Sequence, residues 1–139
     1  MTSDQSARAF LEDAQLIFEE AQASLKAGHH HRVVRKAQES AELALKGLFR
    51  YLGVEYPKSH VLGRVIQREV RKCPLFSPEE IEKLAYYSDA LSLDREPAFY
   101  GTPDGIPASE LFDQEDARES LQKADWILGV VRKIVTERS

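Results

Sequence analysis

A lysine and a histidine stand two residues apart in the middle of the chain, at Lys58 and His60. Both follow Pro57, where a helix does not readily continue, and Ser59 can cap the helix that comes next. Free backbone N–H groups at a helix N-terminus attract anions, and cationic side chains beside them strengthen that preference. The pattern therefore predicts a phosphate-binding loop, with Glu55 nearby. The alternative is structural: His60 caps the following helix or packs against its neighbour.

Three consecutive histidines, His29 to His31, raise the question of a metal site. Successive residues of a helix point about 100° apart, so three in a row converge on one ion only where the backbone is irregular. We therefore expect adventitious metal binding here and no metal by design. The chain also lacks the Glu-x-x-His pair that a ferritin-like di-iron bundle needs, which excludes that class of enzyme.

The charge of the chain is divided unevenly. Its formal net charge is −4, yet residues 29–72 carry ten lysines and arginines against four acids. Arg64, Arg68 and Arg71 recur at helical spacing and should share one face. This division predicts a basic surface for phosphate or for an acidic partner. Ion pairs with acids on neighbouring helices are the alternative.

Length and composition are those of one ordinary globular domain. The 139 residues suffice for a real core, and 42% of them are hydrophobic. No apolar run approaches the length that spans a bilayer, and Thr2 to Gln5 are polar, unlike a signal peptide. The single cysteine, Cys73, excludes an internal disulfide and a multi-cysteine metal site. We expect a cytoplasmic protein that does not enter a membrane.

Apolar residues at spacings of three and four predict five helices. Their spans are residues 4–26, 30–52, 60–72, 78–93 and 114–136. A capping box of Ser77 and Glu80, with Pro78 between them, marks the start of the fourth helix. Residues 94–113 hold three prolines and two glycines and are predicted to form an ordered loop over the bundle. Residues 1–139 are thus predicted to be one all-α domain, an antiparallel up-and-down bundle of four long helices plus a short bridging helix.

The second predicted helix carries small residues between its apolar positions. Their spacing allows neighbouring helices to approach closely, and they are Ala37, Ser40, Ala41, Ala44 and Gly47. Gly53 follows where a C-terminal cap is expected.

Two stretches of the sequence resemble a known family. The run AQESAELALKGL (Ala37–Leu48), followed by LGVEYPKSHVLG (Leu52–Gly63), is similar to the HEPN domain. The run LDREPAFYG (Leu93–Gly101) looks like the turn before the last helix in one prokaryotic branch of that family. The resemblance implies the same helical bundle. It also implies a binding and assembly module related to nucleotides or RNA, with ATP or another nucleotide as its ligand and no resident cofactor.

The resemblance further implies a protein partner. Prokaryotic HEPN proteins are often encoded beside a small nucleotidyltransferase, and the two behave as a toxin–antitoxin pair. We therefore expect such a nucleotidyltransferase as the partner of this chain.

Many HEPN proteins are metal-independent ribonucleases, and this chain lacks their signature. The signature is an arginine followed about four to six residues later by a histidine near the start of the last helix. The arginine steadies the charge of the phosphorane, and the histidine transfers a proton. No histidine follows His60 here, and Arg50 precedes His60 by too many residues. We expect no ribonuclease activity. The alternative is a divergent ribonuclease or nucleotide-handling enzyme that uses Arg95, His60 and Lys58.

The resemblance also groups Arg95, with its neighbours, at the end of the bundle that holds His60. The candidate residues for binding a nucleotide or phosphate are then Lys58, His60, Arg64, Asp94, Arg95 and Tyr100. Arg95 alternatively pairs with Asp94 or Glu42. Glu42 and Lys46 are one helical turn apart, and we expect an ion pair between them.

Three aromatic residues are candidates for a protein interface. Trp126 falls at the edge of the apolar stripe of the last helix, and Tyr86 and Tyr87 are adjacent, so they cannot both face the core. Aromatic side chains left off the core stripe often mark interfaces. Since HEPN proteins commonly pair through long helices and two-fold dimers are the commonest oligomers, we expect a homodimer.

Overall fold

The computed structural model describes residues 2–136, and these residues form helices and connections without a strand. The α-helices are α1 (Ser3–Lys26), α2 (His30–Leu52), α3 (Gly63–Glu69), α4 (Pro78–Leu93), α5 (Arg95–Tyr100) and α6 (Gln114–Val135). Short 3₁₀ turns lie at Val70–Lys72 and Ala108–Glu110. The predicted all-α fold is confirmed. Within the described part of the chain, every helix is too short or too polar to cross a membrane.

The four long helices surround one core, in which α1, α2 and α6 pack against one another and α4 packs against α2 and α6. Near the end of α2, Gly47 faces Phe10 near the start of α1. Tyr87 of α4 packs edge-on against Trp126 of α6, with their ring centroids 5.5 Å apart. α2 contacts both α1 and α6, so it occupies the middle of the bundle. Its largest buried side chains, Leu45, Leu48 and Phe49, are fully enclosed.

Side-chain caps define where three of the long helices begin. The predicted capping box is present: Ser77 Oγ accepts from the Glu80 N–H at 3.1 Å, and Glu80 Oε1 accepts from the Ser77 N–H at 2.9 Å. Equivalent boxes start α1 at Thr2 and α6 at Asp113. At the end of α2, Gly53 adopts the left-handed conformation with φ of 70°, as expected for a C-cap glycine.

The small residues of α2 bring α1 unusually close. A Cβ atom added at Gly47 would lie 3.0 Å from Phe10 Cβ and 3.1 Å from the Ala7 carbonyl oxygen. Two turns earlier, the buried Ser40 hydroxyl donates to the carbonyl of Ala14 at 2.7 Å. The predicted close approach of helices at these positions is therefore observed, and α1 is the partner.

The third helix starts three residues later than the sequence predicted. Ser59 does not cap it: the Ser59 hydroxyl accepts from the N–H of Val61, inside the preceding turn. The first helical residue is Gly63, and its N–H donates instead to Asp89 Oδ1 of α4 at 3.0 Å. α3 ends at Glu69, and the predicted span to residue 72 finishes as a 3₁₀ turn. His60 is therefore in the connection before α3 and not in its first turn.

Residues 94–113 contain a helix that the sequence analysis missed. We predicted an irregular loop because of its prolines, yet Arg95–Tyr100 is helical. Pro97 is the third residue of α5, in the first turn, where a helix needs no backbone N–H donor. Ala98 is fully buried and anchors α5 on the bundle, where the helix contacts α2.

Candidate functional site

A surface cavity lies between the connection before α3 and the short helix α5. Its volume is about 590 Å³. Ser92, at the end of α4, closes it at one side, and its hydroxyl is hydrogen bonded to the backbone carbonyl of His60. The remaining lining residues come from the two facing segments and are Lys58, Ser59, His60, Val61, Arg95, Glu96, Phe99 and Tyr100.

Glu42 of α2 organises the polar side chains behind this cavity. Its Oε1 atom accepts from Gln38 Nε2 at 2.8 Å and lies 2.7 Å from His60 Nδ1. Its Oε2 atom accepts from Lys46 Nζ at 3.0 Å, so the predicted Glu42–Lys46 ion pair is present. Only 13% of the Glu42 side chain is exposed, against 51% for His60. The carboxylate is thus enclosed, and the imidazole reaches from it toward solvent.

Glu42 is held in its ionised form. Burial on its own would raise the pKa of this carboxyl, but the hydrogen bonds from Gln38, Lys46 and His60 together outweigh burial and lower the pKa below its usual value. An ionised carboxylate only accepts hydrogen bonds, so the proton between it and His60 belongs to Nδ1 of the imidazole. The other ring nitrogen, Nε2, has no hydrogen-bond partner among residues 2–136.

Side chains of α2 also hold Arg95 of α5 in place. Its Nη1 atom donates to Gln38 Oε1 at 2.6 Å and lies 4.0 Å from Glu42 Oε1. Of the two partners that the sequence analysis offered for Arg95, Glu42 is therefore the one that its guanidinium approaches. The guanidinium also lies 5.2 Å from the centre of the Phe99 ring, whose other cationic neighbour is Arg35 at 3.7 Å.

Four of the six predicted ligand residues lie together at this cavity: Lys58, His60, Arg95 and Tyr100. Tyr100 is 79% exposed, so its ring is free to contact a ligand. His60 does not cap α3, which begins at Gly63. Its side chain bonds Glu42 of the neighbouring helix α2, as the second structural alternative predicted, and it also lines the cavity.

Arg64 and Asp94 do not line the cavity. Arg64 is exposed on α3, beyond the connection that forms the cavity wall. Asp94 directly precedes Arg95, and adjacent side chains at a helix start diverge by about 100°. It lies in a smaller cavity between α4 and α6, with Asp116 and Lys123. Burial and the charge of Asp116 raise the pKa of Asp94, and Lys123 offsets only part of the rise.

The sequence analysis missed Gln38 as a member of this site. Gln38 is 1% exposed although it is polar, and it joins Arg95 to Glu42. The signal was in the sequence, because Gln38, Glu42 and Lys46 follow one another at intervals of four and therefore lie on one face of α2. Ser92 and Phe99 were also missed, and no local pattern distinguishes them.

His29, His30 and His31 do not line the cavity. Among the described residues, no group of three histidine, cysteine, aspartate or glutamate side chains is arranged to hold a metal ion. Burial, followed by the charges of Arg32 and Arg35, lowers the pKa of His31.

The three aromatic residues proposed for an interface lie together on the outer side of α4 and α6. Tyr86 is 68% exposed, while Tyr87 and Trp126 are half-buried against each other. Lys83 Nζ lies 4.6 Å from the centre of the Trp126 ring and 5.2 Å from that of Tyr87. Lys123 Nζ lies 5.7 Å from the Tyr87 ring. We call Tyr86, Tyr87, Trp126, Lys83 and Lys123 the aromatic–lysine cluster.

Comparisons with known proteins agree with this fold. The family model for the HEPN domain matches residues 7–134. The crystal structure of TT1696 from Thermus thermophilus has a TM-score of 0.77 and 28% sequence identity, over 91% of this chain and 96% of TT1696. ST0689, an archaeal HEPN homologue, has a TM-score of 0.73 over 94% of this chain and 98% of its own. Its sequence identity of 22% supports the fold alone. No curated protein matches the chain significantly.

Proposed function

The chain belongs to the HEPN domain family, and from that premise we propose that it is a binding module for a phosphate-bearing ligand, a nucleotide or a short RNA. The observation that carries the proposal is the convergence of Lys58, His60 and Arg95 on one cavity. These residues come from two segments far apart in sequence, and an anion is the ligand that three such side chains recognise together.

The cavity offers a second contact besides charge. The exposed ring of Tyr100 stands at its edge, and Phe99 lies behind it with ring centroids 5.8 Å apart. Nucleobases stack on exposed aromatic rings, and each such contact contributes about 1–3 kcal/mol. Cations for a phosphate and a ring for a base therefore lie within one cavity, as a nucleotide requires.

Calorimetric titration with ATP and with a short RNA at low salt tests the proposal. We expect binding that weakens as salt rises, because exposed charges are screened over about 10 Å at 0.1 M. Lys58→Ala and Arg95→Ala should each weaken binding roughly tenfold, the effect of one charge-assisted contact of about 1.5 kcal/mol. Lys133→Ala is the matched control, since it removes an exposed lysine from the last turn of α6, outside the cavity. No heat with either ligand would contradict the proposal.

A divergent ribonuclease is the second candidate, and one observation favours it. The signature spacing is absent from the sequence, yet His60 Nδ1 and Arg95 Nη1 lie 2.7 Å and 4.0 Å from the same oxygen of Glu42. An arginine and a histidine thus meet in space without being close in sequence. Our proposal is binding without cleavage, and RNA incubated with EDTA should stay intact. Metal-independent cleavage that Arg95→Ala or His60→Ala abolishes would favour the second candidate.

A partner protein completes the proposal. The family resemblance implies a small nucleotidyltransferase, in a cytoplasmic toxin–antitoxin-like pair. The basic segment of residues 29–72 supports a protein or phosphate contact of opposite charge. Co-expression with a nucleotidyltransferase encoded by the neighbouring gene, followed by affinity purification, tests this. We expect the two to purify together in a fixed ratio, and separate elution would contradict the pairing.

We also propose that the chain forms a homodimer through the aromatic–lysine cluster. The exposed Tyr86 ring and the half-buried Trp126 leave apolar surface on the outer side of α4 and α6. A stable dimer should bury about 1,200–2,000 Å² in total. Light scattering should give twice the chain mass of 15.8 kDa, and Trp126→Asp should shift the protein toward monomer. Leu16→Asp is the control, because Leu16 is 59% exposed on α1. A monomeric wild type would refute the dimer.

A further inference from the structure

The ring nitrogens of His60 have different surroundings. Nδ1 faces the ionised carboxylate of Glu42 at 2.7 Å and therefore carries a proton. Nε2 has no partner within residues 2–136 and belongs to a side chain that lines the cavity and is 51% exposed. In the neutral ring Nε2 can only accept a hydrogen bond, and a phosphate oxygen offers it no donor. An anion and the neutral imidazole are therefore mismatched at this atom.

Protonation of Nε2 allows His60 to donate a hydrogen bond to an anion. Once Nε2 is protonated, the imidazolium donates from both nitrogens, to Glu42 on one side and to an anion on the other. We propose that Glu42 positions His60 as a proton-linked anion-binding group, so that the cavity takes up a proton together with its phosphate ligand. This inference rests on the proposed function and adds to it a regulation by pH and a positioning role for Glu42.

Charged and titratable groups of both signs lie around His60, on α2, α4, α5 and the connection before α3. From α2 these groups are Glu42 and Lys46, and from α5 they are Arg95, Glu96 and Tyr100. Lys58 stands on the same connection as His60, and Asp89 of α4 is bound to the N–H of Gly63. Without ligand, Lys58 and Arg95 already supply positive charge at the cavity. A bound phosphate adds negative charge beside Nε2 and so favours the protonated imidazole.

The test uses a probe that does not itself titrate. A tetranucleotide RNA with hydroxyl groups at both ends has only phosphodiesters, whereas a terminal phosphate titrates near pH 6. Calorimetry at about pH 6 and about pH 8, which bracket the usual range of histidine, in buffers with different heats of ionisation, measures affinity and proton uptake together. We expect uptake of part of one proton and roughly tenfold tighter binding at the lower pH, the effect of one added charge-assisted contact.

Three variants of the full chain assign the effect. His60→Gln stays neutral at both pH values and should remove the proton uptake and the pH dependence of affinity. Glu42→Gln should reduce both, because it withdraws the carboxylate that balances the imidazolium. Glu39→Gln is the matched control and should leave both unchanged, since Glu39 also lies on α2 but makes no hydrogen bond or ion pair within the described residues. His60 is half-exposed, so its variant remains informative even if Glu42→Gln unfolds.

The possible outcomes separate this inference from the function on which it rests. RNA binding without proton uptake would overturn the proton linkage and leave the binding module in place. Uptake that persists in His60→Gln would overturn the role of His60, and uptake unchanged in folded Glu42→Gln would overturn the positioning role of Glu42. Absence of RNA binding at both pH values would overturn the proton linkage and would argue against RNA as the ligand. ATP binding at about pH 8 would in that case still support the proposed function as a nucleotide-binding module.

Discussion

The backbone nitrogen of Gly63 lies 3.0 Å from Oδ1 of Asp89, so a side chain of α4 caps the N-terminus of α3. The contact joins residues that are 26 positions apart. It ties α3 to α4 at the point where the connection carrying Lys58 and His60 enters the helix. Gly63 also leaves the space that the carboxyl occupies, since an added Cβ would clash with Oδ2 of Asp89.

Replacing Asp89 with alanine should destabilise the protein by about 1 kcal/mol, the usual effect of losing an N-cap. Urea unfolding followed by circular dichroism measures the free energy of unfolding. Gly63→Ala should also destabilise, because its methyl group displaces the carboxyl. In the double variant the methyl group has no carboxyl to displace, so the combined loss should be less than the sum of the two single losses. Strictly additive losses would contradict the contact.

Two helical glycines should respond oppositely to a larger side chain. Gly47 faces α1 with Phe10 Cβ 3.0 Å from the place of its missing Cβ, whereas an added Cβ at Gly129 of α6 meets nothing within 4 Å. Gly47→Leu should destabilise by about 1–3 kcal/mol through overpacking. Gly129→Ala should stabilise by about 1 kcal/mol, the difference in helix propensity. Chemical denaturation of both variants measures these changes, and a stable Gly47→Leu protein would show that α1 moves away freely.

Features that depend on residues close in sequence were the predictable ones. The four long helices follow from apolar spacing, and the start of α4 follows from Ser77, Glu80 and Pro78. The start of α3 could not be predicted locally, because its cap comes from Asp89 on another helix. Ser59 was therefore a reasonable prediction for the cap, but its hydroxyl bonds the N–H of Val61 and does not cap α3.

In the candidate site, too, the residues close in sequence were predictable and the contacts between distant residues were not. Lys58 and His60 are two residues apart, and a local pattern indicated both. Arg95 was placed beside them through the family resemblance, and the structure brings its side chain to the same cavity. The role of Glu42 depends on its hydrogen bond with His60 and on the approach of Arg95. These two residues lie 18 and 53 positions further along the chain. No periodicity predicts which of several surface carboxylates becomes enclosed by such partners.

Glu42 should stabilise the protein in a pH-dependent way. Its pKa is lowered in the folded state, so its contribution is fully present above the unfolded value, near 4.3, and is lost as pH falls through the folded value. Glu42→Gln should therefore lose roughly 1–2 kcal/mol at neutral pH, the scale of hydrogen bonds to a charged group. The difference in the free energy of unfolding between this variant and the wild type should become smaller at acidic pH. Urea unfolding over a pH series measures it, with Glu39→Gln as control, and a difference that stays constant down to about pH 3 would refute this account.

Asp94 should behave in the opposite way. Burial and the neighbouring Asp116 raise its pKa, so the folded state binds this proton more tightly than the unfolded chain does. The ionised carboxylate therefore costs stability above the folded pKa, and that cost disappears as pH falls below the unfolded value, near 3.9. Asp94→Asn removes the charge while it keeps the size of the side chain, and Asp94 makes no side-chain cap at α5 that the change would break.

We expect Asp94→Asn to raise the free energy of unfolding by about 0.5 kcal/mol at neutral pH, since partial exposure screens much of the repulsion. The gain should fade toward about pH 3, where the wild-type carboxyl is itself protonated. Asp13→Asn, at an exposed position of α1, controls for the loss of one negative charge from the whole molecule. Asp116→Asn provides a second check, because it removes the charge that repels Asp94. In that background, Asp94→Asn should raise the free energy of unfolding by less than it does in the wild type. A gain at Asp94 that is the same in both backgrounds would show that burial alone, and not Asp116, sets the cost of this carboxylate.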